Sequence, residues 1–163
     1  MKSMDMRQEL VNMGGGAHAL AIQILGNSHD AADAVQDAFA TVLARPGAYD
    51  RKKGAFKPWF LRVVRNRAID LLRRRRPVEP VDALVDPGVA PQQSMENLQR
   101  DEGLQRALKE LTAGQREIIL LRDYLDLSYA EIADVLDVAA GTVMSRLHRA
   151  RMALKEVLES NDE

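Results

Sequence analysis

Five helix-breaking residues fall within fifteen positions: Pro77, Pro80, Pro87, Gly88 and Pro91. Proline fixes φ, lacks a donor N–H and biases the residue before it away from helix. Residues 77–95 therefore read as an extended linker. It divides the chain into an N-terminal unit, 1–76, and a C-terminal unit, 96–163. Each unit alone is small for a self-sufficient core. Cysteine is absent, so no disulfide can supplement either core and no thiolate can bind metal or act as nucleophile.

Outside the linker the apolar residues recur at helical period, and no strand-like alternation appears. The expected fold is all-α, two small helical domains. Three helices are predicted in the first unit. One covers about 17–26, starting after Gly14-Gly15-Gly16, because glycine costs about 1 kcal/mol per residue in a helix. A second covers 30–44, with Asp30, Asp33 and Asp37 on one face. A third covers 57–76, with Pro58 in its first turn. Phe60, Val63, Val64, Ala68, Leu71 and Leu72 form its apolar side, and Trp59, Arg62, Asn66 and Arg73 lie on another. Four helices are predicted in the second unit. Leu98, Leu104, Leu108 and Leu111 mark the first. Thr112 with Gln115, and Ser128 with Glu131, have capping-box spacing and open helices at 113–125 and 129–136. A short turn, Asp137-Val138-Ala139-Ala140-Gly141, leads to a last helix, 142–158, apolar at Val143, Leu147, Ala150 and Leu154.

The formal net charge of −1 hides a strong asymmetry. Residues 51–76 carry 11 basic and 1 acidic side chains, and residues 77–140 carry 5 basic and 13 acidic. All 4 basic residues of the last 23 lie in 141–155, a stretch with no acid. Such asymmetry points to an electrostatic partner, and nucleic acid fits it.

Two constellations carry that reading. The first is the pair of short helices about Gly141, spaced as a helix-turn-helix. The second helix of that motif enters the major groove N-terminus first. Thr142, Ser145, Arg146 and Arg149 lie on its exposed side; arginine pairs with guanine edges or phosphates, and hydroxyls bond either. A solvated basic helix face is the ordinary alternative. The second is residues 51–76, where Phe56, Trp59 and Phe60 interleave with cations. A basic surface with stacking platforms suits single-stranded nucleic acid. For Phe60 a plain core role is the better reading.

With one module for duplex DNA and one for unpaired DNA, the chain resembles a bacterial extracytoplasmic-function (ECF) sigma factor, the minimal kind with only the second and fourth sigma domains. Leu25 through Phe39 resembles the family's polymerase-binding helix. Gly54 through Asp70 resembles its minus-10 segment. Leu111 through Arg122, Tyr129 through Ala133 and Gly141 through Arg151 resemble its fourth domain. The resemblance implies that Asp30, Asp33, Gln36 and Asp37 meet the β′ coiled coil of core RNA polymerase, with the fourth domain on the β flap. It implies that the 46–57 loop holds a flipped minus-10 base. Lys53, Phe56, Trp59, Arg62, Arg65, Asn66 and Arg73 would contact that element, with Trp59 at the melting boundary. Thr142, Ser145, Arg146, His148, Arg149 and Arg151 would contact the minus-35 element. Met144 stands where the family usually has Lys or Arg, and its thioether suits a thymine methyl. An anti-sigma factor is a further implied partner. An unrelated helix-turn-helix regulator and a sigma mimic that sequesters an anti-sigma factor are the other function classes.

No catalytic role, cofactor or metal is expected; His18, His29 and His148 are scattered. No apolar run approaches the ~20 residues of a membrane span, and the glycine-interrupted N-terminus does not resemble a signal peptide. A cytoplasmic location is expected.

Overall fold

A computed structural model describes residues 6–75 and 102–161. The proposed linker and Leu98 lie outside the described residues. Every regular element among those described is helical.

The N-terminal half is a three-helix bundle: α1 (Met6–Leu25), α2 (Ser28–Ala44) and α3 (Phe56–Arg75). The first helix starts eleven residues before its expected position, and Gly14, Gly15 and Gly16 lie inside it. Tertiary packing overrides local propensity here. Leu10 and Met13 are buried on the first turns, so the early part of α1 is anchored by its own apolar stripe. Gly16 also has a packing reason. A Cβ there would lie 2.9 Å from Leu125 Cδ2, so the bare backbone leaves room for a side chain from the other half. Gly26, at φ 83°, turns the chain after α1. Asn27 then caps α2 by accepting the Asp30 N–H at 2.8 Å. Phe39 and Phe60 stack with centroids 5.6 Å apart between α2 and α3. Phe60, Val64 and Ala68 are fully buried, which places the core side of α3 as expected; Val63 and Leu71 are only partly buried.

The C-terminal half holds α4 (Glu102–Lys109), α5 (Ala113–Ile119), α6 (Tyr129–Leu136) and α7 (Ala140–Asn161). Both expected capping boxes form, Thr112 with Gln115 and Ser128 with Glu131. The expected 113–125 helix changes character at Leu120. Residues Leu120–Tyr124 form one π turn, in which the Leu125 N–H reaches the Leu120 carbonyl at 2.8 Å. The expected turn over Asp137–Gly141 is shorter than its expected bounds: Asp137, left-handed at φ 58°, opens it, and Ala140 and Gly141 already belong to the first turn of α7. An aspartate tolerates this conformation better than most side chains. Val143, Leu147 and Ala150 are buried as expected, whereas Leu154 is only partly so.

The two halves pack together. Helix α3 lies along α6, α1 touches α5, and their buried residues form one continuous apolar cluster.

Candidate nucleic-acid interface

The N-terminus of α3 and the preceding loop build an aromatic-floored surface. The loop winds through two 3₁₀ turns, Pro46–Ala48 and Arg51–Lys53. Asp50 accepts the Lys52 N–H at 2.9 Å, and the Tyr49 hydroxyl donates to the Gly54 carbonyl at 2.8 Å. Gly54, at φ 147°, occupies backbone space essentially reserved for glycine. Tyr49, Phe56 and Trp59 then cluster with centroids 5.1–5.7 Å apart. Phe56 is 5% exposed. It supports the cluster from below and does not present a free stacking face, a correction to its expected contact role. Trp59 is half-buried. Above this floor is a cavity of about 340 Å³, lined by Tyr49, Lys53, Trp59, Arg62 and, from α6, Asp134.

Lys53, in the second 3₁₀ turn, is exposed, as are Asn66 and Arg73 farther along α3. Arg62 faces Asp137 at 3.7 Å. Arg65 forks onto Glu117, Nε to Oε2 at 2.8 Å and Nη2 to Oε1 at 3.3 Å. Two of the expected minus-10 cations are therefore directed at carboxylates of the other half.

On α7, Ser145, Arg146, His148 and Arg149 are exposed, and Thr142 is half-buried at the N-terminal turn. The Ser145 hydroxyl donates to the Thr142 carbonyl at 3.2 Å. Met144 is 55% exposed in the same row. Arg151 differs from its neighbours: it is tied to Asp123 of the π turn, whose hydrogen bond raises the guanidinium pKa further. Arg151 thus braces α7 against that turn. Arg146, Arg149 and Arg65 line one cleft of about 410 Å³ between the halves.

The acidic stripe of α2 forms a separate groove, where Asp30, Asp33, Gln36 and Asp37 line a hollow with Leu71 and Arg75. Arg67 meets Asp37 at 2.9 Å, and Arg75 meets Asp30. The Asn27 amide, and then Arg75, hold the Asp30 carboxyl below its ordinary range. Asp33 faces His29 at 3.7 Å. Sequence reasoning missed Arg67 and Arg75 as partners of the stripe. Their spacing of eight, against seven between Asp30 and Asp37, carried a signal, since antiparallel neighbours pair the first acid with the last arginine. It also missed Tyr49, Glu117, Asp134 and Asp137. No local pattern marks Glu117, a single acid before a run of isoleucine and leucine.

Among the described residues no cluster of three or more His, Asp or Glu is placed to hold a metal ion. None of the described helices is long and apolar enough to cross a membrane.

Comparison with known proteins matches both halves. Residues 13–78 match the family described as Sigma-70 region 2, and residues 101–154 match Sigma-70 region 4. The first match makes residues 13–78 a sigma-70 region and not a domain unrelated to the second match. The ECF RNA polymerase sigma factor SigW of Bacillus subtilis is 30% identical over 86% of this chain and 82% of its own length. Among solved structures, the sigma factor RpoE in complex with the anti-sigma factor NepR from Bartonella quintana superposes with a TM-score of 0.71. It is 27% identical, covering 95% of this chain and 97% of that one. CnrH in complex with the cytosolic domain of CnrY has a TM-score of 0.65 and 26% identity, covering 94% and 87%. Two sigma-70 regions in order, on the helices that carry the aromatic-floored pocket and the basic recognition face, identify the chain as a member of the ECF sigma factors, the subunits that direct RNA polymerase to promoters.

Proposed function

We propose that the chain grips a promoter at two places, reading duplex DNA with α7 and unpaired DNA with the 46–57 loop and α3. The carrying observation is the pairing, in one chain, of a basic helix-turn-helix face with a pocket lined by Tyr49, Trp59, Lys53 and Arg62 and backed by Phe56. Arg146 and Arg149 present forks suited to guanine edges, with Ser145 and Thr142 beside them. His148 stands on the same exposed face as a backbone contact. Met144 meets a thymine methyl. In the loop pocket a flipped base stacks against Trp59, with Lys53 and Arg62 on the phosphates and Asn66 and Arg73 continuing the track.

The α2 groove is the polymerase contact. Asp33, Gln36 and Asp37 are exposed and Asp30 partly so, and a basic coiled coil of the β′ subunit complements them. The β flap is the matching partner for the C-terminal half. Because RpoE of Bartonella quintana is solved with an anti-sigma factor, we extend that class of partner to this chain. Work on polymerase and DNA places the protein in the cytoplasm, and it acts by binding, without catalysis of its own.

The test is transcription from a genomic promoter library with purified core polymerase, with and without this chain. Promoter-dependent transcripts are expected only when it is present; their absence, together with no core association, overturns the reading. Arg149→Ala is expected to weaken minus-35 binding about tenfold or more and to relax selectivity at one base pair. A uniform loss with a shallower salt slope would instead make Arg149 a phosphate contact.

A further inference from the structure

We infer that Asp123, on the π turn, is a positioning residue for minus-35 recognition: through Arg151 it fixes how α7 is rotated, and so where Arg146 and Arg149 meet the groove. The inference rests on the minus-35 reading of α7 above.

Helix periodicity separates Arg151 from the reading face. At about 3.6 residues per turn, Thr142, Ser145, Arg146 and Arg149 share one face, whereas Arg151 lies about 200° round the axis from Arg149. Its guanidinium forks instead onto both carboxylate oxygens of Asp123, Nε to Oδ2 at 3.3 Å and Nη2 to Oδ1. Asp123, and after it Tyr129, hold the Arg151 pKa above its ordinary value. Arg146 and Arg149 take no such partner among the described residues.

The preceding residue on the turn serves the other helix. Arg122 Nη1 donates to the Leu127 carbonyl at 2.9 Å, just before the Ser128 cap of α6. Its guanidinium carbon also stands 5.3 Å from the ring centroid of Tyr129, the first residue of α6. Two consecutive residues of the π turn therefore grip the two helices of the helix-turn-helix, Arg122 the first and Asp123 the second. The apolar contacts do a different job. Val143, Leu147 and Ala150 are buried and hold α7 to the core, but burial is non-directional. A bidentate arginine–carboxylate pair adds a fixed plane. A rotated α7 still offers cations to phosphates, while its forks no longer align with base edges. Asp123 and Arg151 are both exposed, so breaking their pair leaves the apolar anchor in place.

The test uses holoenzyme reconstituted from core polymerase and the full chain, with a promoter taken from the library above. Its binding to that promoter is compared, over a salt series, with binding to the same fragment carrying a scrambled minus-35 element. Asp123→Asn keeps the side-chain shape and removes the charge. The ratio of the two affinities is expected to fall about tenfold, while affinity for the scrambled fragment stays within about twofold and the salt slope is unchanged. Arg151→Lys keeps the charge but cannot fork, and is expected to lose the same ratio. Asp123→Ala, Arg151→Ala and the double variant are expected to lose one common factor, since either substitution alone breaks the fork. Four outcomes overturn the proposal: a ratio kept by Asp123→Asn or by Arg151→Lys, tighter binding of both fragments by Asp123→Asn, a salt slope shallower by about one in Arg151→Ala, or a double variant that loses the product of the single losses. The first says the fork is idle, the second makes Asp123 a repulsive charge near DNA, the third makes Arg151 a phosphate contact, and the fourth says that the two residues act independently. Equal binding of the two fragments by wild-type holoenzyme overturns the minus-35 reading itself, whereas a wild-type preference that the variants keep counts against the positioning role alone.

Discussion

A methionine that is 55% exposed on a face otherwise made of Ser145, Arg146, His148 and Arg149 has little to gain from water. Its unbranched, polarisable thioether gains contact when it meets a base methyl. Replacing each minus-35 thymine by deoxyuridine removes only that methyl. One such replacement is expected to weaken wild-type holoenzyme binding several-fold and to leave Met144→Ala unchanged; equal effects on both proteins would remove Met144 from the reading set. Asp30 illustrates charge at the same scale. The Asn27 amide and then Arg75 depress its pKa, so the folded state binds its proton less readily than the unfolded chain does. Its stabilising contribution is full above the ordinary carboxylate range and is lost as pH falls through the depressed folded value. Asp30→Asn is therefore expected to be less stable than wild type at neutral pH, with the difference shrinking in acid. Denaturant titrations across that range give the measurement, and a constant difference contradicts it.

At the scale of elements, stability sits in caps and in one aromatic stack. Ser128 accepts the Glu131 N–H at 3.1 Å, and Glu131 accepts the Ser128 N–H at 2.8 Å. Ser128→Ala is expected to cost about 1 kcal/mol, read as a lower denaturation midpoint at unchanged slope. Phe60, fully buried against Phe39 and Phe56, is a larger stake. Phe60→Ala is expected to cost about 3–5 kcal/mol, enough to open the N-terminal bundle; a loss under about 1 kcal/mol would contradict its place in the core. These elements were legible because their causes are local. A capping box is written in four residues, and the period of α3 is written in its own side chains. The start of α1 was not legible. Its glycines argue against helix by propensity, while what holds them is Leu10 and Met13 in the core and, from more than a hundred positions away, Leu125 against Gly16. The last helix begins two residues before its expected start at 142, since Gly141 reads as a turn residue although it lies in the first turn of α7.

For the whole molecule, the divided charge already separated two basic faces from acidic surroundings. The candidate DNA faces were therefore legible as basic surfaces from residue type and spacing, whereas a polymerase role for the acidic stripe of α2 came only from the family resemblance. The partners those residues take inside the folded chain were not. Arg65 with Glu117, Arg67 with Asp37 and Arg75 with Asp30 join positions 30 to 52 residues apart, and only the assembled helices bring them together. Both kinds of pair lie on surfaces assigned to outside partners, DNA for α3 and polymerase for α2. On the proposed assignments, binding core polymerase and opening a promoter would exchange these internal ion pairs for external ones, and engagement is expected to be sensitive to salt.

The central claim is that this chain lets polymerase open a promoter with the aromatic-floored surface at the start of α3. Permanganate oxidises thymines only where they are unstacked, so it reports that opening base by base. With core polymerase, promoter DNA and the wild-type chain, reactive thymines are expected across the minus-10 element, absent with core alone and strongly reduced with Trp59→Ala although core binding persists. Reactivity that is equal with and without the chain, or no reactivity on any promoter that the chain transcribes, would contradict the account.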